Sequence, residues 1–168
     1  MATKTRTTFE TRNDLPAASR EKLVDLLNAR LADTFDLYSQ VKQAHWSVRG
    51  PDFMQLHLLY DTVAESVLGF VDEIAERATA LGGRATGTVR MAAEATTLDE
   101  YPLDATSGPD TIEVVADRLA AYGAAAREAI ETADEELGDM DTADLFTDIS
   151  REIDKQLWFV EAHHQADA

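Results

Sequence analysis

The sequence contains no cysteine, and only four of its 168 residues are lysine. Without cysteine the chain has no disulfides, no thiolate catalysis and no thiolate metal sites, so His and carboxylates remain as metal ligands. No stretch of about 18 apolar residues is present, and we therefore expect no membrane span. The N-terminus also lacks the apolar region of a secretory signal, so we expect a cytoplasmic protein.

Basic residues are scarce relative to acidic ones. The chain has 15 Lys and Arg against 32 Asp and Glu, which gives a formal net charge of -17. Such a charge keeps a protein in solution but strains its compact state by self-repulsion. The balance is typical of a halophilic protein, although an ordinary acidic cytosolic protein is the alternative. Either surface repels nucleic acid, because binding to phosphates requires clusters of Lys and Arg.

Apolar residues recur every three to four positions in four long stretches, which predicts four helices. These stretches run over about 16–47, 53–81, 111–137 and 142–163. No alternating pattern of a β-strand competes with them, so the predicted fold class is all-α. Apolar residues make up 45% of the chain, enough for one sizeable core. We expect this domain over residues 15–168, preceded by a flexible tail at 1–14.

The connections between these helices are unequal in length. The links "RGPD" at 49–52 and "GDMD" at 138–141 are short, whereas residues 84–110 form a long crossover between helices two and three. Two short links and one long crossover predict a ferritin-like four-helix bundle. The crossover has room for a short helix in "TTLDEYP" at 96–102, and "SGPD" at 107–110 is typical of a turn and helix cap.

The second helix carries ionisable residues at positions that share one face. At 100° per residue they span about a quarter of the helix circumference, and they are His57, Asp61, Asp72 and Glu76. A charged stripe is usually a solvated face. Here Val67 and Leu68 flank it, and an unpaired carboxylate against apolar surface costs free energy unless something neutralises it. The stripe is therefore a candidate metal site.

The length of the helix divides this stripe into two halves. Asp61 and Asp72 are separated by about 16 Å along the axis, whereas ligands of one metal ion lie roughly 2 Å from it. A two-fold axis near residues 66–67 would lay a second copy antiparallel and bring opposite halves together in two equivalent sites. The small residues Ser66 and Gly69 permit that approach.

His45 lies near the end of the first helix, beside Trp46. A histidine in that position is often a packed residue. If the "RGPD" turn brings it beside His57, however, the pooled site has two imidazoles and three carboxylates. That donor set suits iron or manganese.

Several segments together resemble the Dps family, the DNA-binding proteins from starved cells, which are mini-ferritins of the ferritin-like superfamily. The segments are "HWSVRGPDFMQLHLLYD" at 45–61, "VDEIAERATALGG" at 71–83, "YPLD" at 101–104 and "DTADLFTDISREIDKQLWFVEA" at 141–162. The resemblance implies a ferroxidase that forms a homo-dodecameric shell. Such a protein oxidises Fe(II) to Fe(III), usually with hydrogen peroxide, stores the ferric mineral and so protects DNA from oxidative damage.

The resemblance also implies roles for individual residues. It assigns the inter-subunit ferroxidase ligands as His45, His57 and Asp61 of one subunit with Asp72 and Glu76 of its partner.

Further roles are implied outside this ligand set. Trp46 would trap or relay oxidising equivalents, with plain packing as its alternative. Asp139, Asp144 and Asp148 would line an iron-entry pore, although acidic residues also favour a helix N-terminus through its dipole. Glu65 lies in the stripe as an inner nucleation residue or as a solvated side chain.

The N-terminal tail departs from family members that bind DNA through lysine-rich tails. Its net charge is only about +1, from Lys4, Arg6 and Arg12 against Glu10 and Asp14. Because phosphate contacts drive non-specific affinity for DNA, we expect no direct DNA binding. Any protection of DNA would then be chemical. Association with the nucleoid is the alternative to a purely cytoplasmic location.

Other classes of protein remain as alternatives. Ferritins and bacterioferritins need two Glu-x-x-His motifs in one bundle, whereas this chain has one, from Glu161 to His164. His163 and His164 are either a surface metal site or part of an exposed tail. The non-enzyme alternative is a Dps-like shell or nucleoid protein that binds DNA or metal without oxidation. A metal-free adaptor bundle would instead be a monomer or dimer.

Overall fold

A computed structural model describes residues 8–165 of the chain, and its regular structure over that range is helical. The helices are α1 (Ala17–Ser47), α2 (Phe53–Ala80), α3 (Val89–Ala95), α4 (Gly108–Glu131) and α5 (Met140–Glu161). A π-helical turn, Thr132–Glu136, ends α4. The all-α prediction is confirmed. None of the described helices is long and apolar enough to cross a membrane.

Four long helices form the bundle, with α1 packed on α2 and α4 packed on α5. Contacts of α1 with α4 and of α2 with α5 close it, and short α3 lies against α1. Fully buried side chains from all four long helices fill the centre, among them Leu27, Leu37, Tyr60, Val67, Leu119, Tyr122, Phe146 and Ile153. Within each helix they are spaced by three, seven or ten residues, which is the helical periodicity that predicted these elements.

The crossover contains the expected short helix, but its predicted position at 96–102 is wrong. Helix α3 begins earlier because the Thr88 hydroxyl caps it, accepting from the Met91 amide at 3.4 Å. It ends at Ala95. The Thr97 amide then donates to buried Asp33 at 2.7 Å, which takes the backbone out of helical hydrogen bonding. Tertiary contact with a charged side chain of α1 therefore decides where the short helix stops.

The end of the crossover is hydrogen-bonded to the turn that connects α1 with α2. The Arg49 amide donates to the Thr106 carbonyl at 2.8 Å. Ser107 then caps α4 by accepting from the Asp110 amide at 3.2 Å, with proline in the first turn, so the cap predicted at 107–110 is confirmed. This anchor holds the "RGPD" turn beside the start of α4, and thereby fixes where α1 ends and α2 begins.

At the opposite end of the bundle, glycines stop α2. Gly82 has φ +83°, a conformation that favours glycine. The segment before α1 also packs there, since the Phe9 amide donates to the Gly82 carbonyl at 2.8 Å. Residues 8–14 of the N-terminal segment thus lie against the bundle, while residues 1–7 fall outside the described range.

We predict that Gly82→Ala destabilises the protein more than Gly138→Ala. Both glycines have positive φ, which costs an alanine about 1–2 kcal/mol. A Cβ at Gly82 would also lie 2.8 Å from the Phe9 carbonyl oxygen, whereas one at Gly138 meets nothing within 4 Å. The overlap should add about 1–3 kcal/mol. Thermal unfolding midpoints measure the difference, and equal losses for the two variants would contradict it.

Candidate functional site

The ends of α1 and α2 meet at a turn that Arg49 holds closed. Its Nη1 donates to the carbonyl oxygens of Trp46, Ser47 and Val48 at 2.9, 3.0 and 2.7 Å. These carbonyls have no partner within α1, because they belong to its last turn and to the residue after it. The guanidinium therefore caps the C-terminal end of α1, the turn of helix that contains His45 and Trp46.

His45 and His57 face each other across this junction and bind each other's backbone. Nδ1 of His45 donates to the His57 carbonyl at 2.7 Å, and Nδ1 of His57 donates to the His45 carbonyl at 2.9 Å. The rings are stacked, with centroids 3.7 Å apart and planes at 20°. A carbonyl only accepts, so both Nδ1 atoms carry hydrogen, and the lone pair of a neutral ring in this tautomer is on Nε2. This tautomer is the one in which a histidine binds a metal through Nε2.

Asp61 lies one helical turn beyond His57 and is paired with Lys42 of α1. The Lys42 Nζ donates to Asp61 Oδ1 at 2.5 Å, and His45 Nδ1 lies 3.9 Å from the same oxygen. The hydrogen bond from Lys42 is the main cause that lowers the pKa of Asp61. The carboxylate is therefore ionised at neutral pH, as metal binding requires.

The other half of the stripe lies further along α2. Asp72 and Glu76 are exposed there, as is Glu65. Within one subunit, residues 8–165 contain no group of three or more His, Asp or Glu side chains arranged to hold a metal ion. The five-ligand site remains a prediction that requires a second copy of the chain.

The surface of α2 around this stripe is apolar as well as acidic. Met54, Leu58 and Leu68 are 57%, 58% and 44% exposed, and a Cβ added at Gly69 would meet nothing within 4 Å. Large apolar side chains exposed along one helix are typical of a protein interface. The two-fold axis predicted from the sequence crosses this same face of α2.

An open depression adjoins the two histidines, and its lining includes residues that sequence reasoning missed. His45, Trp46, Arg49, Phe53 and His57 line it. The ring of Phe53 lies 5.0 Å from that of His57, and Trp46 is 60% exposed. Phe53 stands four residues before His57 on α2, a spacing that places neighbours on one face and would have identified it.

Lys42 is the other neighbour that sequence reasoning missed. It precedes His45 by three residues on α1, and Trp46 by four, so its position in the sequence was a usable signal. Its Nζ lies 5.9 Å from the centre of the Trp46 ring.

The three aspartates assigned to a pore have different environments. Asp139 is buried, its two carboxylate oxygens 2.8 and 2.7 Å from Arg77 Nη2, and it also accepts from the Thr142 hydroxyl. Burial raises its pKa, but the hydrogen bonds from Thr142 and Arg77 outweigh burial and the pKa is lowered. Asp144 and Asp148 are exposed, and Asp148 pairs with Arg151. Arg77 thus balances the charge of Asp139, and the pore remains a prediction.

Both C-terminal histidines bind nearby carbonyls. His163 Nδ1 donates to the Phe159 carbonyl at 2.9 Å, and His164 Nε2 donates to the Pro109 carbonyl at 3.2 Å. Both side chains are exposed, as is Glu161. The pair lies at the surface and outside the bundle interior, where the sites of ferritins lie.

An antiparallel four-helix bundle with one long crossover defines the ferritin-like class, and comparisons with known proteins agree. The ferritin-like domain family matches residues 24–167. The DNA protection during starvation protein of Agrobacterium fabrum is 40% identical over 158 residues, covering 94% of this chain and 97% of that protein. The chain therefore belongs to the ferritin-like family, within its Dps branch.

Solved structures show the same relationship. The archaeal Dps homologue from Halobacterium salinarum superimposes with a TM-score of 0.88 at 30% identity, covering 99% of this chain and 92% of that one. Mycobacterium smegmatis Dps gives 0.87 at 29% identity and covers 93% of each chain. The predicted family and fold are thus confirmed over nearly the whole length.

We predict that Asp139 contributes stability that depends on pH. Because its pKa is lowered in the folded state, the contribution is complete above the ordinary Asp pKa of about 4. It is lost as the pH falls through the lower folded value. Asp139→Asn should therefore cost about 1–3 kcal/mol at pH 7 and progressively less below about pH 4.

Unfolding by urea across this pH range measures the change in Asp139→Asn. Asp141→Asn is the matched control, since its carboxylate is 83% exposed and 3.8 Å from the same Arg77. A loss in Asp139→Asn that is equally large at acid pH, or one shared by Asp141→Asn, would contradict the assignment.

Proposed function

We propose that this protein is a ferroxidase and iron store that acts as a homo-dodecameric shell. It oxidises Fe(II) to Fe(III) at sites shared between subunits and deposits the ferric mineral inside. The observation that supports this most strongly is the reciprocal bonding of His45 and His57, which aims two Nε2 lone pairs away from the backbone.

The second subunit supplies the remaining ligands. About 16 Å of helix separates Asp61 from Asp72, so the two halves of the stripe meet only when α2 helices of two subunits lie antiparallel. The exposed apolar residues Met54, Leu58 and Leu68 give that contact its hydrophobic component. Each dimer then has two sites of two imidazoles and three carboxylates, a donor set suited to iron.

The chemical step oxidises two ferrous ions with one molecule of hydrogen peroxide. Each ion loses one electron. The peroxide takes both electrons and two protons, its O–O bond breaks, and two water molecules leave. Pairing the electrons avoids release of hydroxyl radical, and in this way the shell would protect DNA. Trp46 is exposed beside the histidines, and in this proposal it takes up stray oxidising equivalents.

Iron enters through acidic pores near the start of α5. Exposed Asp144 and Asp148 supply the negative potential in this proposal, since three copies around an axis concentrate the field and attract cations. Asp139 contributes differently, because its ion pair with Arg77 connects the end of α2 to the start of α5. Glu65, on the acidic stripe of α2, is the candidate for inner nucleation.

Removal of a ligand should slow iron oxidation. We expect His57→Ala and Asp61→Ala to slow the rise in absorbance near 300 nm by about 10–100-fold when Fe(II) and peroxide are mixed anaerobically. His163→Ala is the matched control, because it removes a histidine that lies at the C-terminal surface. Unchanged rates in the two ligand variants would refute the site.

Size-exclusion chromatography shows whether each variant still assembles like the unaltered protein, and it also tests the predicted dodecamer. Twelve subunits of 18.5 kDa should elute at roughly 220 kDa. A monomer or dimer would instead support the adaptor alternative. An intact shell that does not oxidise Fe(II) would support the alternative of a non-catalytic Dps-like shell protein.

We also predict that the purified shell does not retard DNA in a gel at low salt. Its subunits carry a formal charge of -17, and twelve copies repel phosphates strongly. As a comparison, Glu10→Lys with Asp14→Lys replaces two negative charges by two positive ones at exposed positions of each N-terminal segment. The segment's net charge rises by four, and the variant should begin to retard DNA. Tight binding by the unaltered protein would overturn the prediction.

A further inference from the structure

Helix α2 carries far more negative than positive charge. Its only Lys or Arg is Arg77, which is bound to Asp139 of α5. Its acids are Asp61, Glu65, Asp72, Glu73 and Glu76. The last four of these are exposed, and the Asp61 side chain keeps 43% exposure beside Lys42. In a separate subunit, water therefore solvates most of this charge.

A second copy packed antiparallel on α2 changes this balance. With the two-fold axis at residues 66–67, Asp61 of one helix is level with Asp72 of the partner subunit. The partner subunit's Glu76 lies one turn further along. Lys42 offsets only one of these three negative charges, and the two-fold symmetry repeats the excess at a second place. Only a small exposed apolar surface opposes this repulsion, and it consists of Met54, Leu58 and Leu68.

We propose that this face of α2 is a cation-dependent interface between two copies of the chain. The copies associate when divalent ions or concentrated salt neutralise the facing carboxylates, and they separate when both are scarce. This interface rests on the ferroxidase site proposed above, whose ligands come from both copies.

Divalent ions and salt act on this interface in different ways. A divalent ion that binds only between two copies stabilises their association by mass action, and association in turn raises the affinity for that ion. Salt acts by screening, since the Debye length falls from about 30 Å at 0.01 M to about 3 Å at 1 M. A supply of metal ions therefore closes the two-fold contacts of the shell, and their loss in dilute salt opens them.

Sedimentation velocity of the full chain tests this dependence. The protein is stripped with EDTA and compared in KCl at about 0.01 M and about 1 M. A third sample, in the dilute KCl, contains Zn²⁺, which is not oxidised. We expect the shell of roughly 220 kDa to dissociate in metal-free dilute KCl, because its two-fold contacts open. Either Zn²⁺ or concentrated KCl should restore it.

A pair of neutral substitutions shows whether these carboxylates are the cause. Asp72→Asn with Glu76→Gln keeps the shape of both side chains and removes two negative charges from α2. This variant should reassemble in metal-free KCl at a concentration at least about tenfold lower than the unaltered protein needs. Glu113→Gln with Asp117→Asn is the matched control, since it makes the same charge change at two exposed positions one turn apart on α4. The control should remain as salt-dependent as the unaltered protein.

The outcomes separate this interface from the function proposed above. The cation-dependent interface is overturned if the shell stays intact in metal-free dilute KCl, or if the α2 variant is no less salt-dependent than the α4 control. Either result leaves the iron oxidation assay to judge the ferroxidase site on its own. A chain that remains a monomer or dimer in every buffer contradicts the shell itself, and with it both proposals.

Discussion

The two hydrogen bonds that join His45 and His57 tie the site to the fold. Each imidazole binds the backbone of the opposite helix, so the end of α1 and the start of α2 cannot separate without breaking both bonds. Arg49 caps α1 at the same junction, and the crossover anchors the turn through the Thr106 carbonyl. Ring orientation, tautomer and helix junction are therefore set together by contacts within one chain.

Charge is managed by local pairing within an acidic chain. Lys42 balances Asp61, Arg77 balances Asp139, and Arg30 lies 2.9 Å from buried Asp33. With 15 basic residues against 32 acidic ones, each of these cations is placed on a carboxylate that lies in the interior or at the proposed site. Most of the other acids within residues 8–165 are exposed, where they attract cations and repel nucleic acid. The protein thus combines an acidic exterior with charge-balanced contacts around these carboxylates.

The fold and the residues of the candidate site were largely predictable from the sequence, whereas their environments were not. Apolar spacing predicted the four long helices, and the i, i+4 relation predicted that His57 and Asp61 share a face. Thr97 shows the limit: "TTLDEYP" has the composition of a short helix, but a buried carboxylate from α1 binds its amide and ends α3 early. Asp139 shows it again, because only packing brings Arg77 against both of its oxygens.

The sequence alone determined the helix faces, the long crossover and the distance along α2 between the two halves of the ligand set. These follow from local geometry, in which each residue turns the chain by 100° and advances it by 1.5 Å. Only the tertiary structure decided that Nδ1 of each histidine carries hydrogen and that Lys42 forms an ion pair with Asp61. It also decided that Asp139 is buried and paired with Arg77. Those facts depend on side chains distant in sequence, whose approach is set by core packing and by the need to pair charges away from water.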